Sequence, residues 1–462
     1  MPADSSLIRN ARSAVGEALR RGEHEAAIRE ALAFQTRVQS DPHLNRAPFM
    51  QAALGDLWSA LGDYAQSASC YSAAIELSPE TAVFWFNRAA VRRFLGDLTA
   101  AESDYDQVIR LSPYDAYAHL NRAELRTQTV GRNHVEELES ALREGSDDWR
   151  YLVPMHYALG KEYEDLGDYS AAWLHFAAGA GLRRRHLQYD LRRDLDTVEW
   201  LREAFHAPGM YPGHDSSAPI FILGMPRTGS TLVETLLGNH SSIRQGGELQ
   251  DFGLSLISLV RARLGRECDR RELVFESSAL DPRALAAAYL RRTRWLGRDA
   301  RHFTDKLPLN YLYAGLIARA FPRAAMFHVV RDPMATCFGI YKVLFDQGYP
   351  FSYDLDEIGE YYCGYARLME HWKSLWPGRL IEVSYESLTA RPAAEAQRLV
   401  EAIGLPWQAE CANVTANTNP STTASASQIR SPIHRDRVDR WRHYEAHLEP
   451  LARKLRGAGL IA

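Results

Sequence analysis

The N-terminal half of the chain repeats itself every 34 residues, and this period limits its possible folds more than any other feature. Three pairs of short segments carry the repeat: Leu61-Gly62-Asp63 and Leu95-Gly96-Asp97, Ser78-Pro79 and Ser112-Pro113, and Asn87-Arg88 and Asn121-Arg122. A further Leu-Gly-Asp segment begins at Leu166. Glycine and proline interrupt helices, so they divide this region into short helical pieces. A fixed period of this length predicts units that stack on their neighbours along one elongated core.

Apolar residues between these segments follow the spacing of a helix face. They are Leu54, Leu57, Trp58 and Leu61 in one piece, and Tyr64, Ala68, Tyr71 and Ile75 in the next. Two helices of this kind in each unit resemble the tetratricopeptide repeat. The resemblance implies an all-α solenoid over residues 1–182, with a degenerate copy at 5–45 and units at 47–80, 81–114, 115–148 and 153–182. Residues 183–215 are then a connection, made of a charged helix over 183–204 and a linker rich in proline, glycine and serine.

Composition argues against several classes of partner and location. The 54 basic and 58 acidic residues among 462 leave a formal net charge of −4, which disfavours a nucleic-acid or anionic membrane partner. The five cysteines, at positions 70, 268, 337, 363 and 411, form no C-x-x-C pair, so neither a disulfide framework nor a thiolate metal site is expected. The first residues lack the apolar core of a signal peptide, and no apolar stretch is long enough for a membrane helix. These features predict a cytoplasmic protein with reduced thiols.

The second half of the chain contains a candidate phosphate-binding loop. The apolar residues 219–223 predict a short buried strand, and Leu232, Leu236 and Leu237 have the spacing of a helix. Between them lies Gly224-Met225-Pro226-Arg227-Thr228-Gly229-Ser230-Thr231. A glycine-bearing turn between a strand and a helix N-terminus binds phosphate through converging N–H groups and the helix dipole. Ser230 occupies the lysine position of the nucleotide-hydrolase loop, which disfavours an ATPase, a GTPase or a kinase. Arg227, in contrast, has a planar guanidinium that is always charged and can bind an oxyanion through two N–H groups.

Charged and hydroxylated residues follow further predicted strands at the points where those strands end. Residues 325–330 lead into Arg331-Asp332-Pro333, and residues 379–385 end in Tyr385-Glu386. The segment Thr304-Asp305-Lys306 has the same character. Open α/β sheets bind their ligands beyond the carboxyl ends of their strands, so these residues are expected to share one site with the loop.

Taken together, these segments resemble a known family of enzymes. P-R-T-G-S-T-L from Pro226, G-G-E from Gly246, T-D-K-x-P from Thr304, V-R-D-P from Val330 and Y-E-x-L from Tyr385 look like the sulfotransferases that use 3′-phosphoadenosine 5′-phosphosulfate (PAPS). The match is closest to bacterial tetratricopeptide-repeat sulfotransferases and extends to tyrosylprotein sulfotransferases. It covers residues 216–450 and implies a three-layer α/β, P-loop-like domain with a parallel sheet over residues 216–462. The implied reaction transfers the sulfuryl group of PAPS to a hydroxyl acceptor and releases adenosine 3′,5′-bisphosphate.

The resemblance also assigns roles to individual residues. The 5′-phosphosulfate is bound by Arg227, Thr228, Gly229, Ser230 and Thr231. Lys306 contacts the bridging oxygen and the transferred group, Glu248 is the general base, and Ser425 lies near the sulfuryl group. These roles suit the chemistry, because negative charge grows on the bridging oxygen while the acceptor hydroxyl must lose a proton. No metal is expected to take part.

The contacts to the 3′-phosphate depart from the family pattern. Arg331 matches the arginine of this subsite, and Tyr385 and Arg440 match further cofactor contacts. The family usually has a serine eight residues beyond that arginine, where this chain has Gly339. The candidates to replace it, from the same helix start, are Thr336 and Lys342.

Two histidines are alternatives to Glu248 as the base. His328 lies within an apolar predicted strand and is expected to be a core residue. His240 is expected to end the helix that follows the loop. Glu248, in a polar Gly-Gly-Glu turn, therefore remains the preferred candidate.

The acceptor is the least constrained part of the prediction. A tyrosine in a peptide or protein is preferred, because the matches at Glu248, Lys306 and Ser425 occur in enzymes that modify protein tyrosines. The repeats then help to present it, and the residues expected to face their groove are Phe86, Arg93, Tyr117, Tyr157 and Lys161. One alternative is a saccharide or small metabolite, with the repeats serving only to dimerise or buttress the enzyme. Another is a non-catalytic nucleotide-binding scaffold, for which the hint is Gly339.

Overall fold

The computed structural model of the chain describes residues 2–207, 212–297, 300–345, 348–417, 419–423 and 438–462. Two compact units are distinguished: one comprises Met1–Gly179 with Thr418–Gln428, and the other comprises Ala180–Asn417 with Ile429–Ala462. The expected Ser425 lies outside the described residues. Among the helices of the described part of the chain, none is both long and apolar enough to span a bilayer.

Helices make up the first unit and occur in antiparallel pairs. They are α1 (Pro2–Arg20), α2 (His24–Ser40), α3 (Pro42–Asn45), α4 (Pro48–Ala60), α5 (Tyr64–Leu77), α6 (Ala82–Leu95), α7 (Leu98–Leu111), α8 (Ala116–Glu124), α9 (Val135–Glu144), α10 (Trp149–Leu166) and α11 (Tyr169–Arg185). The predicted repeat solenoid is confirmed, including a leading pair formed by α1 and α2. The third pair is the least regular, because α8 is only 9 residues long and a loop separates it from α9.

The Leu-Gly-Asp segments mark the junction between the two helices of a pair. Gly96 ends α6 in the left-handed conformation, with φ 84°, which glycine adopts without steric cost. Asp97 then caps α7, because its carboxylate accepts the N–H of Ala100 at 3.2 Å. Asp63 caps α5 in the same way through the N–H of Gln66 at 3.0 Å. The repeated tripeptide is therefore a helix stop followed directly by a helix start.

Five parallel strands form the sheet of the second unit, in the order β2-β3-β1-β4-β5. They are β1 (Pro219–Gly224), β2 (Ile243–Arg244), β3 (His302–Asp305), β4 (Ala325–Val330) and β5 (Ile381–Ser384). The strands predicted from the sequence are confirmed, whereas β2, with only 2 residues, was not predicted. The register pairs Phe221 with Asp305 and Leu223 with His328, so β1, β3 and β4 end at the same edge of the sheet.

Helices cover both faces of this sheet and complete the predicted three-layer α/β architecture. They are α12 (Arg192–Ala204), α13 (Ser230–Leu237), α14 (Asp251–Leu264), α15 (Arg270–Ser278), α16 (Pro282–Thr293), α17 (Ala314–Ala320), α18 (Pro333–Tyr341), α19 (Leu355–Leu375), α20 (Tyr385–Ala390), α21 (Pro392–Ile403) and α22 (Glu445–Gly457). Short 3₁₀ helices lie at Pro308–Tyr313, Pro350–Tyr353, Ala409–Ala412, Val414–Ala416 and Arg440–Tyr444. Side chains of β1 alternate between the faces: Ile222 packs in one core with Val233, and Phe221 packs against Phe252 and Tyr289 in the other.

The segment expected to connect the two domains differs from its prediction. The single helix expected over 183–204 is divided into the end of α11 and a separate α12. The guanidinium of Arg184 donates to the carbonyl of Tyr189 at 3.2 Å, and Asp190 accepts the N–H of Arg192 at 3.0 Å just before α12. Because α12 packs on α15 and α19, it is an integral part of the second unit rather than a connection.

Candidate active site

The loop after β1 is shaped by three residues with positive φ. Gly224 has φ 147°, and a Cβ at this position would lie 2.5 Å from the carbonyl oxygen of Val329. Arg227 has φ 68°, and Gly229, which precedes the first residue of α13, has φ 99°. A non-glycine residue in the left-handed region carries backbone strain, which proteins retain mainly where the surroundings enforce it. The backbone of Arg227 is therefore held in place by its neighbours.

The end of this loop is the N-terminus of α13, as predicted for a phosphate cradle. Ser230 is the first residue of the helix, and Ser230 and Thr231 are both buried. The first N–H groups of a helix have no partner within the helix, and the helix dipole adds positive potential there. The hydroxyl of Thr228 donates to the carbonyl of Met225 at 2.8 Å, so it braces the loop from within.

Two predicted cofactor contacts from other strands lie against the loop. The guanidinium of Arg331 donates to the carbonyl of Arg227 at 3.2 Å and stacks over the ring of Tyr385, 4.5 Å from its centre. The same tyrosine ring fills the space beside Gly229, where a Cβ would lie 2.5 Å from a ring carbon. Three of the five segments that resembled the family therefore converge here, and any side chain at position 229 would displace the aromatic ring.

The residues around Arg331 and Tyr385 explain why their motifs have the sequences they do. Asp332 caps α18 by accepting the N–H of Ala335 at 2.7 Å, and proline follows it in the first turn of the helix. The N–H of Asp332 donates to Glu386 at 2.9 Å. Ser384 donates to the other oxygen of Glu386, also at 2.9 Å. The V-R-D-P and Y-E segments are thus tied to each other at the ends of β4 and β5.

Lys306 and Glu248, the predicted charge stabiliser and the predicted base, form an ion pair. The Nζ of Lys306 donates to Oε1 of Glu248 at 2.6 Å. The lysine side chain is 0% exposed, whereas that of Glu248 is 41% exposed, so the carboxylate is the member of the pair that reaches solvent. The N–H of Lys306 also donates to the carbonyl of Gly247 at 2.8 Å, which joins the two motifs through the backbone.

A buried carboxylate that the sequence analysis missed lies behind this pair. Glu234, on α13, accepts the hydroxyl of Thr304 at 2.6 Å and the N–H of Gly247 at 3.0 Å. Burial raises the pKa of the Glu234 carboxyl, while the charge of Lys306 and these two hydrogen bonds lower it. An acidic residue within the run of apolar residues from Leu232 to Leu237 was the available signal in the sequence.

Asp305, which precedes Lys306, is a second buried acid at the same end of the sheet. Its carboxyl accepts the phenol of Tyr289 at 2.9 Å and the amide of Asn310 at 2.8 Å. Burial raises the pKa of Asp305 to about 8, against a lowering by these two hydrogen bonds. Its side chain is directed into the core and has a structural role, unlike that of its neighbour Lys306.

The region predicted for the 3′-phosphate is assembled around α18. Thr336 is fully buried, and its hydroxyl lies 3.4 Å from the carbonyl oxygen of Arg331. Gly339 lies beside the loop, since a Cβ there would be 3.4 Å from Cβ of Arg227. The ammonium of Lys342 lies 5.3 Å from the centre of the Phe338 ring.

Arg440 begins the 3₁₀ helix Arg440–Tyr444, and this helix is packed on α18. The contact includes the rings of Phe338 and Tyr444, with centres 4.4 Å apart. The predicted cofactor contact at Arg440 therefore belongs to an element in contact with α18, which also carries Thr336.

The two histidines have the positions expected of structural residues. His328 is buried on β4, its Nε2 lies 2.5 Å from the hydroxyl of Tyr365, and burial lowers its pKa to about 3. His240 follows the end of α13, with Nε2 3.0 Å from the carbonyl oxygen of Pro406. Neither position favours a proton acceptor for the reaction.

A cavity of ≈ 420 Å³ lies next to the segments that carry the Lys306–Glu248 pair. Its wall includes Leu309, three residues beyond Lys306, and Leu256 of α14, a helix that begins shortly after Glu248. The rest of the lining combines aliphatic side chains, the ion pair of Asp194 and Arg270, and six aromatic residues: Tyr189, Tyr311, Tyr313, Tyr349, Phe351 and Tyr361. The charge of Glu248 adds to burial in raising the pKa of Tyr349, which places this ring within electrostatic reach of the carboxylate. The lining and the volume of the cavity suit an aromatic ligand.

No group of three or more His, Cys, Asp or Glu residues is arranged to hold a metal ion in the described part of the chain. The expectation that the reaction needs no metal stays a prediction. The five cysteines form no disulfide bonds with one another in the structure.

The residues expected to face the repeat groove are only partly available to a partner. Tyr157 is buried, with its ring 6.1 Å from that of Phe176, and Arg93 is buried in an ion pair with Glu124 at 3.0 Å. Lys161 pairs with Asp165 at 2.7 Å. The prediction that Tyr157 faces the groove is therefore wrong, because its ring is needed to fill the space between helices.

Tyr117, which was expected to face the groove, is exposed, and two further exposed apolar residues that were not predicted occupy the same position, the second residue, of the preceding first helices. Phe49 is 61% exposed, Val83 49% and Tyr117 41%. They follow each other at the 34-residue period, so the repeat places them in equivalent positions on α4, α6 and α8. We refer to these three residues as the apolar row.

Comparison with known proteins identifies the same two regions of the chain. Residues 219–409 match the family described as "Sulfotransferase family", and residues 50–81 and 82–115 match the tetratricopeptide repeat. An uncharacterised protein of Aquifex aeolicus is 31% identical over 340 residues, covering 71% of this chain and 44% of that protein. Protein-tyrosine sulfotransferase A of Caenorhabditis elegans is 22% identical over 241 residues, covering 50% of this chain and 62% of the enzyme. The sulfotransferase domain from the curacin biosynthetic pathway aligns over 51% of this chain and 99% of its own, with 16% identity and a TM-score of 0.35.

The chain therefore contains a sulfotransferase family domain that follows tetratricopeptide repeats. Its homologues include protein-tyrosine sulfotransferases. It spans only 44% and 62% of the lengths of the two relatives described above.

Proposed function

We propose that the protein transfers the sulfuryl group of PAPS to a phenolic hydroxyl, with a tyrosine in a peptide or protein as the acceptor. The observation that carries the proposal is the ion pair between the buried Lys306 and the half-exposed Glu248, at the same end of the sheet as the Arg227 loop. A cation for the leaving oxygen and a carboxylate for the acceptor proton are the two groups that this reaction requires.

The residues at this edge of the sheet fit PAPS, whose two ends are both anionic. The loop offers the N-terminus of α13 together with Arg227, and a second guanidinium, that of Arg331, lies against the loop on the ring of Tyr385. Gly229 leaves room only for that ring, so the cradle is formed by backbone at this point and not by a side chain. PAPS supplies the activated sulfuryl group when bound.

Glu248, Lys306 and Arg227 have separate roles in this proposed reaction. Glu248 accepts the acceptor's proton, and its partial exposure lets an incoming hydroxyl approach it. Lys306 and Arg227 stabilise the negative charge that develops on the leaving oxygen, where a single preorganised donor contributes about 3–4 kcal/mol. Lys306 must exchange its bond to Glu248 for that oxygen, which frees the carboxylate to act as a base.

The cavity that is lined in part by the segment after Lys306 supports an aromatic acceptor. Its rings offer edge and face contacts to a phenol, and Tyr349 links it to Glu248 electrostatically. Val274→Trp, a substitution that fills the cavity from its wall, should raise KM for a phenolic acceptor about tenfold or more while leaving the Kd of adenosine 3′,5′-bisphosphate unchanged. Val130→Trp, at a surface residue that is 88% exposed, is the matched control and should change neither constant.

The apolar row supports a macromolecular acceptor. Three exposed apolar side chains at a fixed period offer an extended segment a regular series of contacts. Replacing Phe49, Val83 and Tyr117 together by serine should raise KM for a protein acceptor and leave KM for a free phenol unchanged, because remote binding energy is lost. Leu174→Ser, at another exposed residue of the repeats, is the control. Unchanged KM values for both acceptors would favour a saccharide or small metabolite and a buttressing or dimerising role for the repeats.

The central experiment combines turnover with binding. Full-length protein should transfer radioactive sulfur from labelled PAPS to a tyrosine-containing acceptor, and calorimetry should show binding of adenosine 3′,5′-bisphosphate but not of ATP. Binding without transfer to any acceptor would indicate the non-catalytic scaffold. Binding of ATP in preference would indicate a kinase. A cytoplasmic location also remains part of this proposal, supported by the free thiols.

A further inference from the structure

Glu234 is a buried acidic residue behind the proposed reaction centre, and it contacts two of the segments that form that centre. A single oxygen, Oε1, accepts both the hydroxyl of Thr304 at 2.6 Å and the N–H of Gly247 at 3.0 Å. The hydroxyl of Thr304 in turn accepts the N–H of Gly246 at 3.0 Å. The turn that carries Glu248 is thus attached to β3 and to α13 by two buried side chains.

The backbone of α13 strengthens this attachment. The carbonyl of Glu234 accepts the side-chain amide of Gln245 at 3.0 Å, so residues on both sides of Gly246 are bound to one helical residue. A Cβ at Gly246 would lie 2.2 Å from the carbonyl oxygen of Thr304, which shows how closely the turn lies on the strand. α13 begins at the phosphate-binding loop, so the same short helix carries the loop at one end and this anchor in its middle.

Glu234 serves as a hydrogen-bond acceptor in surroundings where burial raises the pKa of its carboxyl and nearby charges act in both directions. Lys306 on the segment after β3 is attractive, and Glu248 on the turn is repulsive. The pKa of Asp305, the acid on β3, is raised by burial and by the charges of Asp251 and Glu234. The hydrogen bond from Tyr289 lowers it. A buried carboxylate is costly unless hydrogen bonds and a cation compensate it, and Glu234 has both.

We propose that Glu234 is a positioning residue, which holds the Gly246–Glu248 turn against β3 and so sets the place of Glu248 relative to Lys306. The inference rests on the proposed function, because it assigns Glu234 to the support of the proposed base and its cation. Glu234 itself does not touch the reacting atoms. Its effect is on turnover, since misplacing a catalytic group by about 1 Å costs on the order of 10²-fold in rate.

The test compares two substitutions of Glu234 in the full-length protein. Glu234→Gln keeps an oxygen that can accept both hydrogen bonds, whereas Glu234→Ala removes it. We expect kcat to fall about 10²-fold in Glu234→Ala and to be largely restored, within about tenfold of wild type, in Glu234→Gln. The Kd of adenosine 3′,5′-bisphosphate should be nearly unchanged in both variants. Hydrogen exchange of the peptide covering residues 244–250 should be faster in Glu234→Ala alone.

Two further variants keep the test decisive if Glu234→Ala is poorly folded. Thr304→Val removes the bridging hydroxyl at nearly constant volume and should lower kcat with the same unchanged nucleotide affinity. Glu395→Ala removes a carboxylate of similar burial from α21 and should leave kcat unchanged. If wild type is active and both Glu234→Ala and Thr304→Val keep its kcat, this inference alone is overturned. A wild type that transfers no sulfuryl group would overturn the proposed function and the inference with it.

Discussion

The Nζ of Lys306 lies 2.6 Å from Oε1 of Glu248, although 58 residues separate the two in the chain. This ion pair joins the proposed cation of the transition state to the proposed base. The two members have unequal surroundings, because the lysine is fully buried and the carboxylate is in contact with solvent. Substitutions of the two residues should therefore change different measurable properties of the protein.

Glu248→Gln should lose turnover and keep nucleotide binding. Glutamine can still accept the hydrogen bond of Lys306 but cannot accept the acceptor's proton, so kcat should fall about 10²- to 10⁴-fold. Steady-state kinetics and calorimetry with adenosine 3′,5′-bisphosphate measure the two quantities. Loss of nucleotide binding in this variant would show that Glu248 is a ligand contact or a structural residue and that another group is the base.

Arg227→Ala and Lys306→Ala should each remove most of the activity. Each substitution withdraws a positive charge from the oxygen on which negative charge develops. The expected loss in kcat/KM is more than about tenfold, equivalent to about 1.4 kcal/mol or more. A variant that retains more than about a tenth of wild-type kcat/KM would contradict the role assigned to that residue. Circular dichroism should first show that the variant is folded.

Gly339→Ser should strengthen nucleotide binding. The position lies beside the loop, and a Cβ there would be 3.4 Å from Cβ of Arg227, so a serine fits without displacing backbone. A hydroxyl there can donate to a phosphate, and one hydrogen bond contributes about 0.5–1.5 kcal/mol, or about two- to tenfold in Kd. Calorimetry with adenosine 3′,5′-bisphosphate measures the change. Gly339→Ala is the control without a donor, and an equal gain in both variants would remove the 3′-phosphate explanation.

Asp305→Asn should change how stability depends on pH. Burial raises the pKa of Asp305 to about 8, so between its ordinary value of 3.8 and about 8 the folded protein keeps a proton that the unfolded chain has lost. The contribution of this group to stability is complete below 3.8 and is lost as pH rises toward 8, by up to about 1.4 kcal/mol per pH unit. Asparagine does not titrate, so the Tm of the variant should rise relative to that of wild type as the pH increases from 3.8 to about 8.

Thermal denaturation at several pH values measures this difference. Asp147→Asn, at an exposed position, should show a Tm that follows wild type throughout. A constant Tm difference between Asp305→Asn and wild type over the same range would show that Asp305 is ionised in the folded protein.

Local patterns in the sequence determined the architecture. Short segments of sequence specify the Leu-Gly-Asp junctions, the helices of each repeat and the strand–loop–helix around Arg227. This is because caps, turns and helix faces depend on residues that are near neighbours in the chain. The Gly-Asp pair at 96–97 is an example, since it both ends α6 and starts α7. The same holds for Asp332, whose place before a proline already indicates a helix start.

Only the tertiary structure decided which of these residues meet and which face a partner. In the sequence Glu234 is one polar residue in an apolar helix, and only the fold places it against Thr304, 70 residues away. Tyr157 was expected in the groove and is instead packed on Phe176. Contacts of this kind depend on the register of parallel strands and on how helices fill the space between layers, and these are properties of the assembled core that no local pattern contains.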